Sequence, residues 1–324
     1  MTNHKEDLTN ILQCPSTGAE LRWTSDGNLT AGGGAAYPVI DDIAGLLPHA
    51  ARPITDGVRK FYDTSGWIAD DTGLFGETKA FSDIRPRSQA FTNRCIERMG
   101  RHFRGGGKFI LDAGSGPIPY DGYLNYSENF QKRICVDLSI NGLRAAKRKL
   151  GDRGVYLQGD LTKLPLKTGS MDAITCNHVI YQMPTELQAP AMMELWRVLK
   201  PGGVAVIVYF SSNSRIENRS RKLASKLFGK QQTRPASSQG DSNYELPHQP
   251  MPLSWFDEQK WPFTYELDSF RPWSQAFMRD NLPDDWRGQA FMNAFYTAQS
   301  AAPNYFAKHG SVPTFVIRKP IKIV

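Results

Sequence analysis

Two glycines follow an aspartate at the end of a short apolar stretch, and this arrangement suits the binding of a ligand. Residues 109–111 are apolar, and Asp112 is followed by Gly114 and Gly116. Because glycine has no Cβ, a turn built on it lets the backbone approach a ligand closely. A helix after such a turn adds free N–H groups that favour an anionic group. A dinucleotide site begins in the same way, so the turn alone leaves the ligand open.

Two further aspartates end the next two apolar stretches of the chain. Asp137 lies in 133–138, and Asp160 lies in 155–161. At the end of a strand, an acidic side chain can accept hydrogen bonds from both hydroxyls of a ribose. The position of Asp137, 25 residues after Asp112, therefore predicts an adenosine-containing ligand.

His178 and Tyr181, at the end of a fourth apolar stretch, are the candidate proton acceptors. An unperturbed imidazole titrates at about pH 6.5 and can take a proton from a hydroxyl or an amine. The alternative is that His178 only packs in the wall of a pocket.

Strands that alternate with helices must position these residues. The predicted strands are residues 109–112, 133–138, 155–161, 171–178, 204–210, 264–270 and 312–318. Predicted helices at 141–150 and 191–199 lie between them, the first with apolar residues at helical spacing. This alternation implies an α/β fold with a parallel, doubly wound sheet, which binds ligands at the carboxyl ends of its strands.

The motifs in this order resemble those of the class I S-adenosylmethionine-dependent methyltransferases. The motifs are residues 111–116, 136–137, 159–161, 171–173 and 197–203. The resemblance covers residues 108–211 well. It implies a seven-stranded Rossmann-like sheet, S-adenosylmethionine as the cofactor, and transfer of its methyl group to an acceptor.

The resemblance implies a role for the glycine turn. Asp112, with the backbone of Gly114 and Gly116, would hold the methionine end of the cofactor. The chain departs from the family at Ile118, which stands between two prolines where a third glycine is common. Because prolines lack an N–H group, side chains would replace part of the backbone hydrogen bonding there.

The resemblance also implies roles for residues beyond the later strands. Asp137, beside Leu138, would accept the ribose hydroxyls, and Asp160 with Leu161 would recognise the adenine. Asn177 is counted with the cofactor-binding residues. Together with His178, it would line the place where the methyl group meets the acceptor.

Residues 1–50 resemble the small ribbon domain that precedes some ribosomal RNA guanine methyltransferases. Many such domains bind zinc through two Cys-x-x-Cys pairs, but here Cys14 has Thr17 in place of its partner. Structural zinc needs four ligands. We therefore expect a separate, degenerate zinc-ribbon-like module that binds no metal and is held together by packing.

The remaining chain is divided by composition. Residues 51–107 are rich in aromatic residues and are expected to form a helical cap or linker. The methyltransferase domain is expected over 108–324, with insertions at 211–262 and 271–311.

An enclosed acceptor pocket is predicted where these segments meet the sheet. Aromatic residues of 271–311 are expected to converge there with His178 and with the three tyrosines of 120–126. Arg85 and Arg87 are candidates to pair with an acidic acceptor or with the cofactor carboxylate. The alternative is that they are solvated surface arginines.

Residues 215–230 predict a short basic helix with an apolar face of Ile216, Leu223 and Leu227. Such a helix can lie on an anionic membrane surface or on RNA. In the alternative interpretation its apolar face packs on its own protein.

Composition limits the function classes. The chain has no apolar run of transmembrane length and no signal-peptide core, and its net charge of +7 does not imply nucleic acid. Four scattered cysteines suit a reducing, cytoplasmic compartment. The sequence predicts a methyltransferase for a small or medium organic acceptor, methylated at O, N or C. The alternatives are an RNA methyltransferase, a catalytically silent cofactor-binding partner protein, and a dehydrogenase.

Overall fold

A computed structural model describes residues 8–32, 34–49, 53–229 and 248–321 of the 324-residue chain. Parts of the predicted N-terminal module and the middle of the predicted insertion 211–262 therefore lie outside the described residues.

Among the described residues, twelve strands form two sheets. The strands are β1 Leu21–Trp23, β2 Leu29–Ala31, β3 Ala36–Tyr37, β4 Val39–Ile40, β5 Ile43–Gly45, β6 Gly107–Ala113, β7 Phe130–Asp137, β8 Gly154–Gln158, β9 Met171–Asn177, β10 Leu199–Val208, β11 Glu266–Arg271 and β12 Val312–Arg318. The first three form a small antiparallel sheet. The other nine form the central sheet in the order β11-β12-β10-β9-β6-β7-β8-β5-β4.

The central sheet is mostly parallel. Strands β10, β9, β6, β7, β8 and β5 pair in parallel, while β12 runs antiparallel between β10 and β11. The carboxyl ends of β6 to β11 therefore meet at one edge, where such sheets bind ligands. The prediction of an α/β, doubly wound sheet is confirmed, with nine strands where seven were expected.

The two additional strands come from the N-terminal segment. β5 pairs in parallel with Tyr156–Gln158 of β8, and β4 pairs with β5. The prediction of a separate N-terminal unit was wrong in this respect, because the segment completes the central sheet. The physical reason is the open edge of β8, whose unpaired backbone groups β5 satisfies.

The small ribbon β1–β3 is held by packing, and Cys14 takes part in it. The Cys14 sulfur lies 3.0 Å from the hydroxyl oxygen of Tyr37, and both residues are buried. Within the described ranges, no group of three or more histidine, cysteine or acidic residues is arranged to hold a metal ion.

Ten α-helices lie wholly within the described ranges of the chain. They are α1 Pro53–Phe61, α2 Gly76–Phe81, α3 Pro86–Met99, α4 Ile140–Leu150, α5 Thr185–Val198, α6 Arg215–Phe228, α7 Leu253–Glu258, α8 Gln275–Asn281, α9 Trp286–Ala301 and α10 Pro303–His309. Helix α5 and the N-terminal ribbon pack on one face of the sheet, and α3 and α4 pack on the other. Helix α4 begins where the Ser139 hydroxyl accepts from the Gly142 N–H, a typical N-cap.

The basic helix α6 differs from its predicted orientation. Ile216 is buried together with Ser220 and Ala224, whereas Leu223 and Leu227 are 43% and 57% exposed. The predicted apolar face is therefore split, because the buried side follows 216, 220 and 224 at helical spacing. None of the helices in the described parts of the chain has the length and apolarity that crossing a bilayer requires.

Candidate functional site

A cavity of about 670 Å³ opens at the edge where the parallel strands end. Its wall is built by strand ends of the sheet and by residues from the helical segment 58–82. Every residue predicted from the motifs lies in this wall. They are Asp112, Gly114, Gly116, Asp137, Leu138, Asp160, Leu161, Asn177, His178 and Tyr181.

The glycine turn needs both of its glycines. Gly114 has φ +74°, and a Cβ there would lie 2.4 Å from a methyl carbon of Val179. Gly116 has φ +48°, and a Cβ there would lie 3.0 Å from the indole ring of Trp67. Conformation and space therefore both disfavour a side chain at these two positions. Trp67, which covers the turn, belongs to the aromatic-rich segment 51–107 that was expected to form a cap.

Ile118 keeps a glycine-like backbone although it carries a β-branched side chain. Its φ is +53°, a region that such residues rarely adopt. The side chain is 1% exposed and packs in the core around α3. Burial of the side chain thus offsets the strain at the position where relatives of this type often have a third glycine.

Asp112 is not free, because a buried arginine holds its carboxylate. Arg133 Nε and Nη2 lie 3.0 and 2.5 Å from Asp112 Oδ2, and both residues are almost fully buried. Arg133 Nη1 also donates to the backbone oxygen of Tyr123 at 2.6 Å. Sequence reasoning missed Arg133, although a lone arginine within an apolar strand was a signal that it needed a buried partner.

Asp137 links two parts of the wall. Its Oδ2 accepts from the Gly116 N–H at 2.8 Å, and its Oδ1 accepts from the Ser139 N–H at 2.8 Å. Burial raises the pKa of this carboxyl to about 6, against the lowering effect of the two N–H groups. Each carboxylate oxygen can accept a second hydrogen bond. The carboxylate is therefore fixed in place and can still bind hydroxyl groups.

Asp160 is fixed in a similar way at the end of β8. Its Oδ1 accepts from the N–H and the hydroxyl of Thr162 at 2.8 and 2.7 Å. Its side chain caps a short turn, and Leu161 follows in the same wall.

His178 and Tyr181 lie close together beyond β9. The Tyr181 hydroxyl lies 3.2 Å from His178 Nδ1, and His178 has φ +62°. Burial, aided by the charge of Arg271, lowers the pKa of the imidazole to about 3. Burial raises the pKa of the Tyr181 hydroxyl. Both side chains are therefore neutral in the physiological range, and His178 is a weaker base than its ordinary pKa indicated.

Glu77 is a carboxylate in the wall that sequence reasoning missed. It lies on α2, and burial raises its pKa to about 7. No hydrogen bond or ion pair reaches it from the described residues. Burial raises the pKa of Tyr62, Tyr120 and Tyr181, and the charge of Glu77 adds to each rise. Glu77 lies on a helix that contains none of the recognised motifs, so nothing in the sequence indicated that it would line the cavity.

The aromatic part of the pocket prediction was largely wrong. Tyr120 and Tyr123 line the cavity, but Tyr126 is buried behind it and donates to the Ile96 backbone oxygen at 2.9 Å. The predicted aromatic residues of 271–311 are not in the cavity wall. Most of them pack on one another and on α3, with Trp273 at the centre of the cluster, while Trp286 and Tyr305 are exposed. The cavity instead takes its rings from Phe61, Tyr62, Trp67, Phe81, Phe210 and His248.

Two arginines near the cavity differ in their partners. Arg85, a predicted anion partner, is held by Asp83 at 2.6 Å and by the Leu282 backbone oxygen at 2.8 Å. Arg271, at the end of β11, lines the cavity and is 5% exposed. Its Nε and Nη1 atoms are buried and have no hydrogen-bond partner in the described part of the chain.

Comparisons with known proteins agree with this geometry. The family description "Methyltransferase domain" matches residues 111–207. Malonyl-[acyl-carrier protein] O-methyltransferase of Enterobacter lignolyticus is 33% identical over 110 residues, which are 34% of this chain and 42% of that protein. Demethylmenaquinone methyltransferase of Lactococcus lactis is 37% identical over 81 residues, which are 24% of this chain and 31% of that protein. The chain thus spans less than half the length of these two relatives.

Solved structures show the same fold. Phosphoethanolamine N-methyltransferase 1 of Haemonchus contortus aligns with a TM-score of 0.52 at 12% identity, over 85% of this chain and 51% of that chain. At this identity the likeness shows the fold alone. Residues 111–207 are therefore similar to a methyltransferase domain, and the sheet that contains them has the fold of this solved structure.

Proposed function

We propose that the protein transfers the methyl group of S-adenosylmethionine to a small or medium organic acceptor at an O, N or C atom. The observation that carries the proposal is that one cavity of about 670 Å³ contains both the glycine turn and the acidic strand ends. A volume of this order suits a cofactor together with a small acceptor.

The residues of the cavity wall suit S-adenosylmethionine, and we assign the parts of this cofactor to them as follows. Asp137 would accept the ribose hydroxyls, because its carboxylate is held at the strand end with acceptor capacity left. Gly114 and Gly116, with Asp112 behind them, would admit the methionine end. Asp160 and Leu161 would contact the adenine. When bound, the cofactor supplies an activated methyl group, and the protein positions the acceptor in line with it.

The proposal makes Glu77 the proton acceptor, in preference to His178. A general base works best when its pKa is close to the working pH. The Glu77 carboxyl, with a pKa of about 7, meets this condition, and the His178 imidazole, with a pKa of about 3, does not. His178 and Tyr181 would then position the acceptor through their hydrogen bond.

We also propose that the protein is located in the cytoplasm. The four cysteines of the chain all lie among the described residues and are buried free thiols, which suits a reducing compartment. The cavity gives no comparable support to the alternative of RNA methylation, because many of the side chains in its wall are aromatic.

The function is tested by turnover with methyl-labelled S-adenosylmethionine and fractionated metabolite extracts. We expect S-adenosylhomocysteine to form only with fractions that contain the acceptor. Cofactor binding without turnover in any fraction would support the silent-partner alternative. Binding of a nicotinamide dinucleotide instead would support a dehydrogenase.

Glu77→Gln tests the proton acceptor. We expect the wild-type kcat/KM to rise with pH through an inflection at about pH 7, because the base must be deprotonated. The variant should lose this inflection and roughly a hundredfold in kcat/KM. Glu97→Gln, on the exposed side of α3, makes the same charge change and should leave both unchanged. A Glu77→Gln enzyme with the wild-type rate and inflection would exclude Glu77.

A further inference from the structure

Three arginines are buried around the cavity and the neighbouring core, and two of them have acidic partners. Arg133 is paired with Asp112, and Arg98 lies 3.5 Å from Asp268 Oδ1. Arg271 has no ion pair and no hydrogen bond to any described residue. Its guanidinium carbon lies 5.3 Å from the centroid of the Phe270 ring.

An arginine in this state is costly to bury. The guanidinium group of an arginine does not lose its proton in proteins, so the cost of its burial cannot be relieved by neutralisation. A buried charge is normally paired, and the cost of leaving it unpaired is large. A guanidinium that lines a cavity with unused donors therefore points to a ligand that supplies the missing acceptors.

The position of Arg271 separates it from the cofactor residues. β11 lies four strands from β6, and strands lie about 4.8 Å apart, so roughly 19 Å separates the two strand ends along the sheet. The guanidinium instead affects the far end of the cavity. Its charge lowers the pKa of His178 and opposes the rise in pKa of Tyr120 and Tyr181.

We propose that Arg271 binds an anionic group, a carboxylate or a phosphate, of the methyl acceptor. The planar guanidinium matches both groups, because each offers two oxygen acceptors to parallel N–H donors. This inference rests on the proposed methyl transfer, and it narrows the acceptor to an anionic compound. The cofactor's own carboxylate has the same chemistry, so the experiment must separate the two sources.

The test uses the full chain saturated with S-adenosylhomocysteine and titrated with inorganic phosphate and with acetate. At least one of the anions should bind, and Arg271→Met should weaken its binding by about tenfold or more. Arg271→Lys, which keeps the charge and loses the planar fork, should give an intermediate loss. Arg318→Met, at the exposed end of β12, makes the same net charge change and should have no effect.

A second measurement assigns the anion to the acceptor. The affinities for S-adenosylhomocysteine and for its decarboxylated analogue should be the same in Arg271→Met as in the wild type. A selective loss of S-adenosylhomocysteine affinity would assign Arg271 to the cofactor carboxylate and overturn the proposal. Failure of both anions to bind the wild type, or equal binding to Arg271→Met, would also overturn it. Neither readout needs turnover, so a failed methyltransferase assay would remain a separate result.

Discussion

The cavity has two halves, which differ in whether their charged side chains are bonded to other residues of the chain. The turn half, formed by the residues after β6, β7 and β8, contains Asp112 and Asp137, whose carboxylates are already bonded to the chain. The far half, formed by α2, the residues after β9 and the end of β11, contains Glu77 and Arg271. Neither of these has a hydrogen bond or an ion pair to another described residue.

This difference indicates which kind of ligand each half binds. Groups that are fixed before the ligand arrives cost no reorganisation on binding, which suits a cofactor that occupies the same position in every cycle. Charges left without partners gain most when a ligand supplies them, which suits an acceptor that must be recognised. The turn half is therefore preorganised, and the far half is completed by its ligand.

The largest expected effect compares two arginines of similar burial. Arg133→Met should lower the free energy of unfolding by about 3–5 kcal/mol, because it leaves Asp112 buried without its partner. Arg271→Met should leave the free energy of unfolding unchanged or raise it, because it removes a charge that has no partner. Denaturant unfolding of the ligand-free protein measures both.

Equal losses of stability in these two variants would contradict the difference between the two halves. They would mean that Arg271 is satisfied by the protein itself, and its role as an anion site would then lose its basis. Reduced cofactor affinity in the first variant alone is expected, since Asp112 borders the glycine turn.

Asp137→Ala tests the turn half directly. It should weaken binding of S-adenosylhomocysteine by about tenfold or more, because hydrogen bonds to a charged group contribute about 1.5–3 kcal/mol each. Calorimetry measures the affinity. In the wild type the affinity should also fall as the pH is lowered through about 6, where this carboxyl becomes protonated, and the variant should show no such fall.

Asp152→Ala, at an exposed carboxylate after α4, is the matched control and should bind as the wild type does. Unchanged affinity in Asp137→Ala would mean that the ribose lies elsewhere and that the motif interpretation of this strand end is incorrect.

The two halves also differ in how far the sequence predicts them. The turn half follows from strand order and motif spacing, which are local, so the sequence alone predicts that its residues share one ligand edge. Glu77 and Arg271 come from distant parts of the chain, and only the tertiary fold places both in the wall of one cavity. Arg271 did directly follow a predicted strand, so its position at the ligand edge could have been inferred from topology.

Hydrophobic composition could not separate wall from core. Trp273 and Tyr126 are as apolar as the rings that line the cavity, yet both are fully buried in packed clusters. Strands β4 and β5 were also missed, because two or three residues are too few to show a periodic pattern. The positive φ of Ile118 is likewise invisible in the residue type, because a β-branched residue rarely adopts it.

The smallest expected effect concerns His178, the first residue of the far half after β9. Asn tolerates positive φ, so His178→Asn removes the imidazole without adding backbone strain. Loss of one neutral hydrogen bond to Tyr181 should lower kcat/KM by less than about tenfold. Since burial holds the imidazole pKa at about 3, the inflection at about pH 7 should remain, with unchanged S-adenosylhomocysteine affinity as the control. Disappearance of that inflection, together with a much larger loss of rate, would make His178 the proton acceptor and Glu77 only a charged neighbour.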